Sequence, residues 1–189
     1  SVERDEDLRD HVGGQPGEGL PEPLRPGRRR RARRHVGDQA PLVAVDAAVT
    51  KVPRWSAVRA DLPFRKAGRP APDRPDVLMA TVREELTAIG SRRNVVVGGR
   101  SMGGRICSLA VADGLPAAGL VLISYPLHPP GRPDRLRIEH LPTLEVPCLF
   151  VSGTRDPFGT PDELERHTAA IPGEVTHVWM EGKGHDLKG

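Results

Sequence analysis

The sequence predicts an α/β fold, an open and mostly parallel sheet with helices on both faces. Three observations carry that expectation. From Pro41 onward, short β-branched or apolar runs alternate with segments whose apolar residues recur at helical spacing, and strands separated by helices pair in parallel. Leu120-Val121-Leu122-Ile123-Ser124 is continuously apolar instead of alternating, as in a strand covered on both sides. Finally, 189 residues with 37% hydrophobic and 28% charged side chains suit one soluble domain, and no run approaches the ~18 apolar residues of a membrane helix.

The chain changes character near residue 40. Residues 1–40 hold eight apolar residues beside ten Gly and Pro, too few to offset an ordering entropy of about 1–2 kcal/mol per residue. This segment is expected to be a disordered or misread tail, and residues 41–189 the folded domain. Its run Arg28-Arg29-Arg30-Arg31-Ala32-Arg33-Arg34 has the charge to grip phosphates, but no aromatic residue interleaves for base stacking. Because 24 of the 28 basic residues are Arg, codon bias in a GC-rich genome explains the run better than nucleic-acid binding. The start Ser1-Val2-Glu3-Arg4-Asp5 has no apolar h-region, and Cys107 and Cys148 sit in apolar surroundings with no disulfide framework. Both features point to a reducing cytoplasm.

Leu42, Val45, Val49 and Val52 mark a helix that opens on Pro41 and ends before Pro53. Ser56 to Asp61 reads as a short strand, followed by a loop to Pro75. Asp76 is placed to cap a helix whose Leu78, Val82, Leu86 and Ile89 share one face, closed by Gly90. Asn94 to Val97 is a β-branched strand and Gly103 to Asp113 a small-residue helix. Cys148 to Ser152 is a further apolar strand. Thr160-Pro161-Asp162-Glu163 carries a Thr cap, Pro at the first position and Glu three residues after the cap, opening a helix to about Ala170. Val175 to Met180 is the last strand.

The chemistry falls at strand ends. Gly99-Arg100-Ser101-Met102-Gly103 lies between the Asn94 strand and the next helix, the context in which G-x-S-x-G forms a sharp turn that exposes its serine. The pattern alone recurs by chance in roughly one such chain in ten, so the flanking strand and helix give it weight. A serine hydroxyl needs a base, and the base an orienting group. Asp156 follows the Cys148 strand and His185 follows the last one, so Ser, Asp and His succeed each other at carboxyl ends that line one crevice. The helix opening at Met102 would direct its N–H toward a developing oxyanion. Arg100 and Arg105 flank the serine and would favour an anionic acyl group if they face the pocket. No Cys/His spacing suggests zinc or another metal, and no phosphate-binding loop suggests a nucleotide.

These motifs resemble the α/β-hydrolase fold family. Within it, the chain from about Pro41 to Gly189 is similar to the small bacterial predicted α/β-hydrolase branch. That branch is akin to dienelactone hydrolases and to the hydrolase-like domain of an NSL-complex subunit. The resemblance rests on Arg59-Ala60-Asp61-Leu62-Pro63-Phe64-Arg65, Gly98-Gly99-Arg100-Ser101-Met102-Gly103-Gly104-Arg105, Ser124-Tyr125-Pro126-Leu127-His128-Pro129, Gly153-Thr154-Arg155-Asp156 and Gly184-His185. It implies Ser101 as nucleophile, His185 as base, Asp156 as acid, and Met102 as one oxyanion donor. It implies no cofactor and a small-molecule acyl substrate.

The chain departs from the family at its N-terminal end. Members carry a central apolar strand and a His-Gly loop that gives a second oxyanion N–H, whereas His35-Val36-Gly37-Asp38 follows the arginine run. The sheet is therefore expected to be incomplete there, as in a fragment or a misread reading frame. Only four residues follow His185, where members usually continue into a closing helix. The sequence predicts a serine hydrolase acting on an ester or similar acyl bond. The alternative is a hydrolase-like interaction domain with weak or no catalysis.

Overall fold

The computed structural model describes residues 39–90 and 94–188. The arginine run lies outside them. Among the described residues four strands, β1 (Val96–Arg100), β2 (Gly119–Ile123), β3 (Cys148–Gly153) and β4 (Val175–Met180), form one sheet in the order β1-β2-β3-β4. Every neighbouring pair is parallel. All four carboxyl ends therefore lie along one edge, where open α/β sheets place their crevice. The helices are α1 (Ala40–Val49), α2 (Pro63–Lys66), α3 (Pro75–Ile89), α4 (Met102–Ala112) and α5 (Pro161–Thr168).

Burial follows the residue types. Leu120, Leu122 and Ile123 of β2 are buried although they point to alternate sides, as expected for a strand with no wet face. In β4 half-buried and exposed residues alternate, so this strand has one wet face. The main core joins Leu122, Phe150, Leu127, Leu141, Leu144 and Leu164, each with no exposed surface. Tyr125 meets Phe150 edge-on, with ring centroids 5.7 Å apart. A second cluster of Phe64, Leu78 and Ile106 ties α2 and α3 to α4.

Several expected boundaries move. Helix α3 is capped by Arg74, with Pro75 first and Asp76 second, because proline holds the preceding residue extended (Arg74 ψ 152°). On its apolar face Leu78 and Leu86 are buried, but Ile89 is 44% exposed. Gly90 closes it at φ 77°, a conformation glycine adopts without strain. The first strand starts later than expected and runs through Gly98 and Gly99 to Arg100, directly against the serine. Helix α4 opens one residue earlier, at Met102. Helix α5 ends at Thr168 and carries the expected reciprocal cap between Thr160 and Glu163. Helix α1 forms but ends at Val49 and buries none of its side chains.

The strand expected at Ser56–Asp61 does not form. Those residues are irregular and belong to no ladder. Among the described residues no neighbour is at hand: β1 pairs there with β2 alone, and Val58 and Ala60 lie across a cleft from it. An isolated segment has no partner for its N–H and C=O groups and gains nothing from extending. Both cysteines are buried free thiols.

Candidate active site

Ser101 sits between β1 and α4 at φ 52° and ψ −124°, a backbone region that costs a non-glycine residue energy. Its N–H donates to the Ile123 carbonyl at 2.8 Å, carrying the β1–β2 ladder one residue past the strand. Its carbonyl accepts the first helical bond of α4, from Arg105 at 3.1 Å. The turn is fixed from both sides, and the hydroxyl stands at the sheet's carboxyl edge.

Which glycines the turn needs differs from the motif. A Cβ on Gly99 would lie 2.7 Å from the Gly103 carbonyl carbon, and one on Gly104 would lie 2.7 Å from the Gly99 carbonyl oxygen. Strand and helix cross at Gly99 and Gly104. Gly103, the last position of G-x-S-x-G, has open space where a Cβ would stand. Of the two motif glycines, Gly99 alone is sterically required.

The structure brings Ser101, Asp156 and His185 together. The Ser101 Oγ lies 2.8 Å from His185 Nε2, and His185 Nδ1 lies 2.9 Å from Asp156 Oδ2 and 3.0 Å from Oδ1. A carboxylate only accepts, so Nδ1 carries the proton and Nε2 is left to accept from the serine hydroxyl. Asp156 is 2% exposed, and its Oδ1 also accepts the Phe158 N–H at 2.9 Å. The Phe158 ring lies against the imidazole, with centroids 4.0 Å apart. Phe158 thus orients the carboxylate through its backbone and walls the imidazole with its side chain. Sequence reasoning missed it, although it stands two residues after Asp156 in the same strand-end loop.

The other named residues divide. Met102 is the first residue of α4, so its N–H has no acceptor within the helix and stands beside Ser101. Arg100 donates from one terminal nitrogen to Gln39 Oε1 and from the other to the His185 carbonyl, each at 2.8 Å. Arg105 does not line the cleft around Ser101, and its buried Nε has no partner. Its charge acts instead on Tyr125, Arg137 and His140.

The cleft beside Ser101 has a volume of about 500 Å³ and runs along β1. Leu42, Leu62, Val82, Leu86, Met102 and Phe158 give it a largely apolar wall. Cys107 also lines it, and burial pushes that thiol up to about 12, so it stays protonated at neutral pH. Among the described residues no group of three or more His, Cys, Asp or Glu is arranged to hold a metal ion. None of their helices is long and apolar enough to cross a membrane. A hydroxyl bonded to an imidazole that is held by a buried carboxylate is the arrangement in which the imidazole takes the hydroxyl proton.

Known proteins share this architecture. A membrane phospholipase A described as a novel bacterial virulence factor superposes with a TM-score of 0.50 at 19% identity, over 62% of this chain and 58% of its own. A monoacylglycerol lipase of Paleococcus ferrophilus gives 0.51 at 12% identity, over 60% of this chain and 67% of its own. The S511A mutant of puromycin hydrolase, complexed with PGG, gives 0.45 at 20% identity, over 58% of this chain. The chain spans only 21% of that hydrolase and little more than half of the phospholipase. Identities this low speak to the fold alone. Residues 51–189 match the alpha/beta hydrolase domain family, and with that match covering most of the sequence, the chain belongs to this family.

Proposed function

We propose that the chain is a serine hydrolase that cleaves an ester or related acyl bond through Ser101, His185 and Asp156, without a cofactor. Ser101 Oγ attacks the carbonyl carbon while its proton passes to His185 Nε2. Asp156 holds the Nδ1–H tautomer and stabilises the imidazolium. The negative charge that develops on the carbonyl oxygen is met by the Met102 N–H at the start of α4. When the tetrahedral intermediate collapses, His185 returns the proton to the leaving oxygen and an acyl-Ser101 ester remains. A water then gives its proton to His185 Nε2 and attacks that ester, which releases the acid and restores Ser101.

The observation that carries this reading is the pair of short contacts at His185, 2.8 Å to Ser101 and 2.9 Å to Asp156. The largely apolar wall of the cleft suits an acyl chain without charge, in a small-molecule ester. Kinship within the family to the small bacterial branch akin to dienelactone hydrolases is part of the same proposal. The test is labelling by a fluorophosphonate together with hydrolysis of short p-nitrophenyl esters. Ser101→Ala should abolish both. Equal labelling of the wild type and Ser101→Ala overturns the reading, and a folded wild type that neither labels nor turns over leaves the hydrolase-like interaction domain in its place.

A further inference from the structure

The sheet order sets a problem that the proposed mechanism has to solve. Ser101 stands at the end of β1, one edge of the sheet, and His185 follows β4, the opposite edge. Three strand spacings separate those strands, about 14 Å at about 4.8 Å each. The segment that leaves β4 at Glu181 must therefore run back across the ends of β3 and β2 to bring its imidazole to the serine. Loops of this kind are the least stable parts of a fold, and nothing in local sequence holds one over a distant strand.

Besides the Asp156 and Phe158 contacts to the imidazole and the bond from the Gly182 N–H to Thr154 Oγ1, contacts at two strand ends hold this crossing. At the end of β3 the Lys183 carbonyl accepts the Arg155 N–H at 2.9 Å, and the Lys183–Gly184 backbone passes where a side chain on Gly153 would stand. At the end of β1 the Arg100 guanidinium reaches across and donates to the backbone carbonyl of His185 itself, at 2.8 Å. Its second terminal nitrogen donates at 2.8 Å to Gln39, the residue that caps α1. Both acceptors are neutral. The planar fork that suits arginine to two simultaneous acceptors is spent on holding backbone and helix cap, and lysine's single ammonium could not serve both in that way.

We propose that Arg100 is a positioning residue that tethers the loop carrying His185 to the strand carrying Ser101. The inference rests on the proposed serine hydrolase reading and assigns to Arg100 a role other than selecting an anionic acyl group. Arg100 lines the cleft, but its hydrogen bonds go to Gln39 and to the His185 backbone, not to the Ser101 hydroxyl or the imidazole. It acts by holding the imidazole within hydrogen-bond distance of the hydroxyl, where a displacement of about 1 Å costs about 10²-fold in rate.

The experiment compares the wild type with Arg100→Ala and Arg100→Lys, using neutral p-nitrophenyl butyrate and an anionic p-nitrophenyl hemisuccinate. Hydrogen exchange of residues 181–188 is followed in the same samples. The tether predicts a kcat lower by about 10- to 100-fold on both esters, KM within about threefold, faster exchange over 182–187, and partial recovery of Arg100→Ala by millimolar guanidinium. Arg100→Lys should fall in the same direction although it keeps the charge, and it stands in if Arg100→Ala does not fold. A KM that rises on the anionic ester alone, with exchange unchanged, makes Arg100 a substrate ligand and overturns the proposal. Wild-type kcat in either variant overturns it as well. Exchange is read without turnover, so a wild type that fails to hydrolyse esters refutes the hydrolase reading while the tether is still judged on the loop.

Discussion

Replacing Gly153 by alanine tests how His185 is carried to Ser101. A Cβ there would meet the Lys183 carbonyl group, 2.6 Å from its carbon, and would stand 2.7 Å from the Gly184 oxygen. Carbon atoms in contact settle at about 3.5–4.0 Å, so the 183–184 backbone has to retreat by about 1 Å. His185 is the next residue, and its Nε2 lies 2.8 Å from Ser101 Oγ, so a retreat of that size takes the pair out of hydrogen-bond range. The expected loss is about 10²-fold in kcat, with little change in KM. Stability should suffer far less, because residues 181–188 are exposed or half-buried and the strain escapes outward. About 1 kcal/mol is expected, a fall of about 2–4 °C in thermal midpoint for a chain of this size. Ester hydrolysis, the rate of fluorophosphonate labelling and a melting curve on one preparation decide the matter. A variant within threefold of wild-type kcat would refute the view that the bare α-carbon of Gly153 gives the loop its path.

Other expectations follow from the same geometry. Gly104→Ala should lose about 1–3 kcal/mol in denaturant unfolding because its Cβ meets the Gly99 carbonyl, whereas Gly103→Ala, in open space within a helix, should gain up to about 1 kcal/mol. Burial and the charge of Arg105 lower His140 to about 4, so the unfolded chain binds the extra proton first, and stability that is complete above about pH 6.5 falls as pH drops toward 4. Discounted for partial exposure, the loss should be about 2 kcal/mol, and His140→Gln should flatten that limb of stability against pH. His177, also lowered by burial, adds to it in the same direction. Replacing residues 1–38 with an apolar strand and a His-Gly loop should raise kcat by about 10² through a second oxyanion donor, and an unchanged kcat would place that donor among residues already beside Ser101.

What could be read from the sequence was whatever one segment states by itself. Strands β2 and β3 announce themselves because consecutive apolar side chains fit a covered ribbon, and β4 because β-branched and aromatic residues recur along it. The cap of α5 is complete within Thr160 to Glu163. Ser101, Asp156 and His185 could be named as candidates because each follows a legible strand, and a parallel sheet puts all such ends on one edge. Ser56 to Asp61 misled because its composition suits a strand while its pairing depends on a neighbouring strand that the described residues do not supply. Arg105, four residues after the serine and one turn into α4, acts on Tyr125 and His140 instead of the cleft.

The contacts that hold the loop in place were illegible because each joins residues whose distance along the chain says nothing of their distance in space. Arg100 meets His185 across 85 positions, and Gly153 makes way for Lys183 from a different strand end. The two halves of the site also differ in kind. Ser101 is built into a junction of strand and helix, fixed by the ladder to Ile123 and the crossing of Gly99 with Gly104. His185 hangs on an exposed loop from the far edge of the sheet, steadied by Asp156, Phe158 and Arg100. Loosening the loop removes few buried contacts but misaligns the imidazole, whereas disturbing the elbow strikes strand, helix and core together. Substitutions at Arg100, Gly153 and Phe158 should therefore lower activity well before they lower stability, and substitutions at Gly99 and Gly104 should lower both at once.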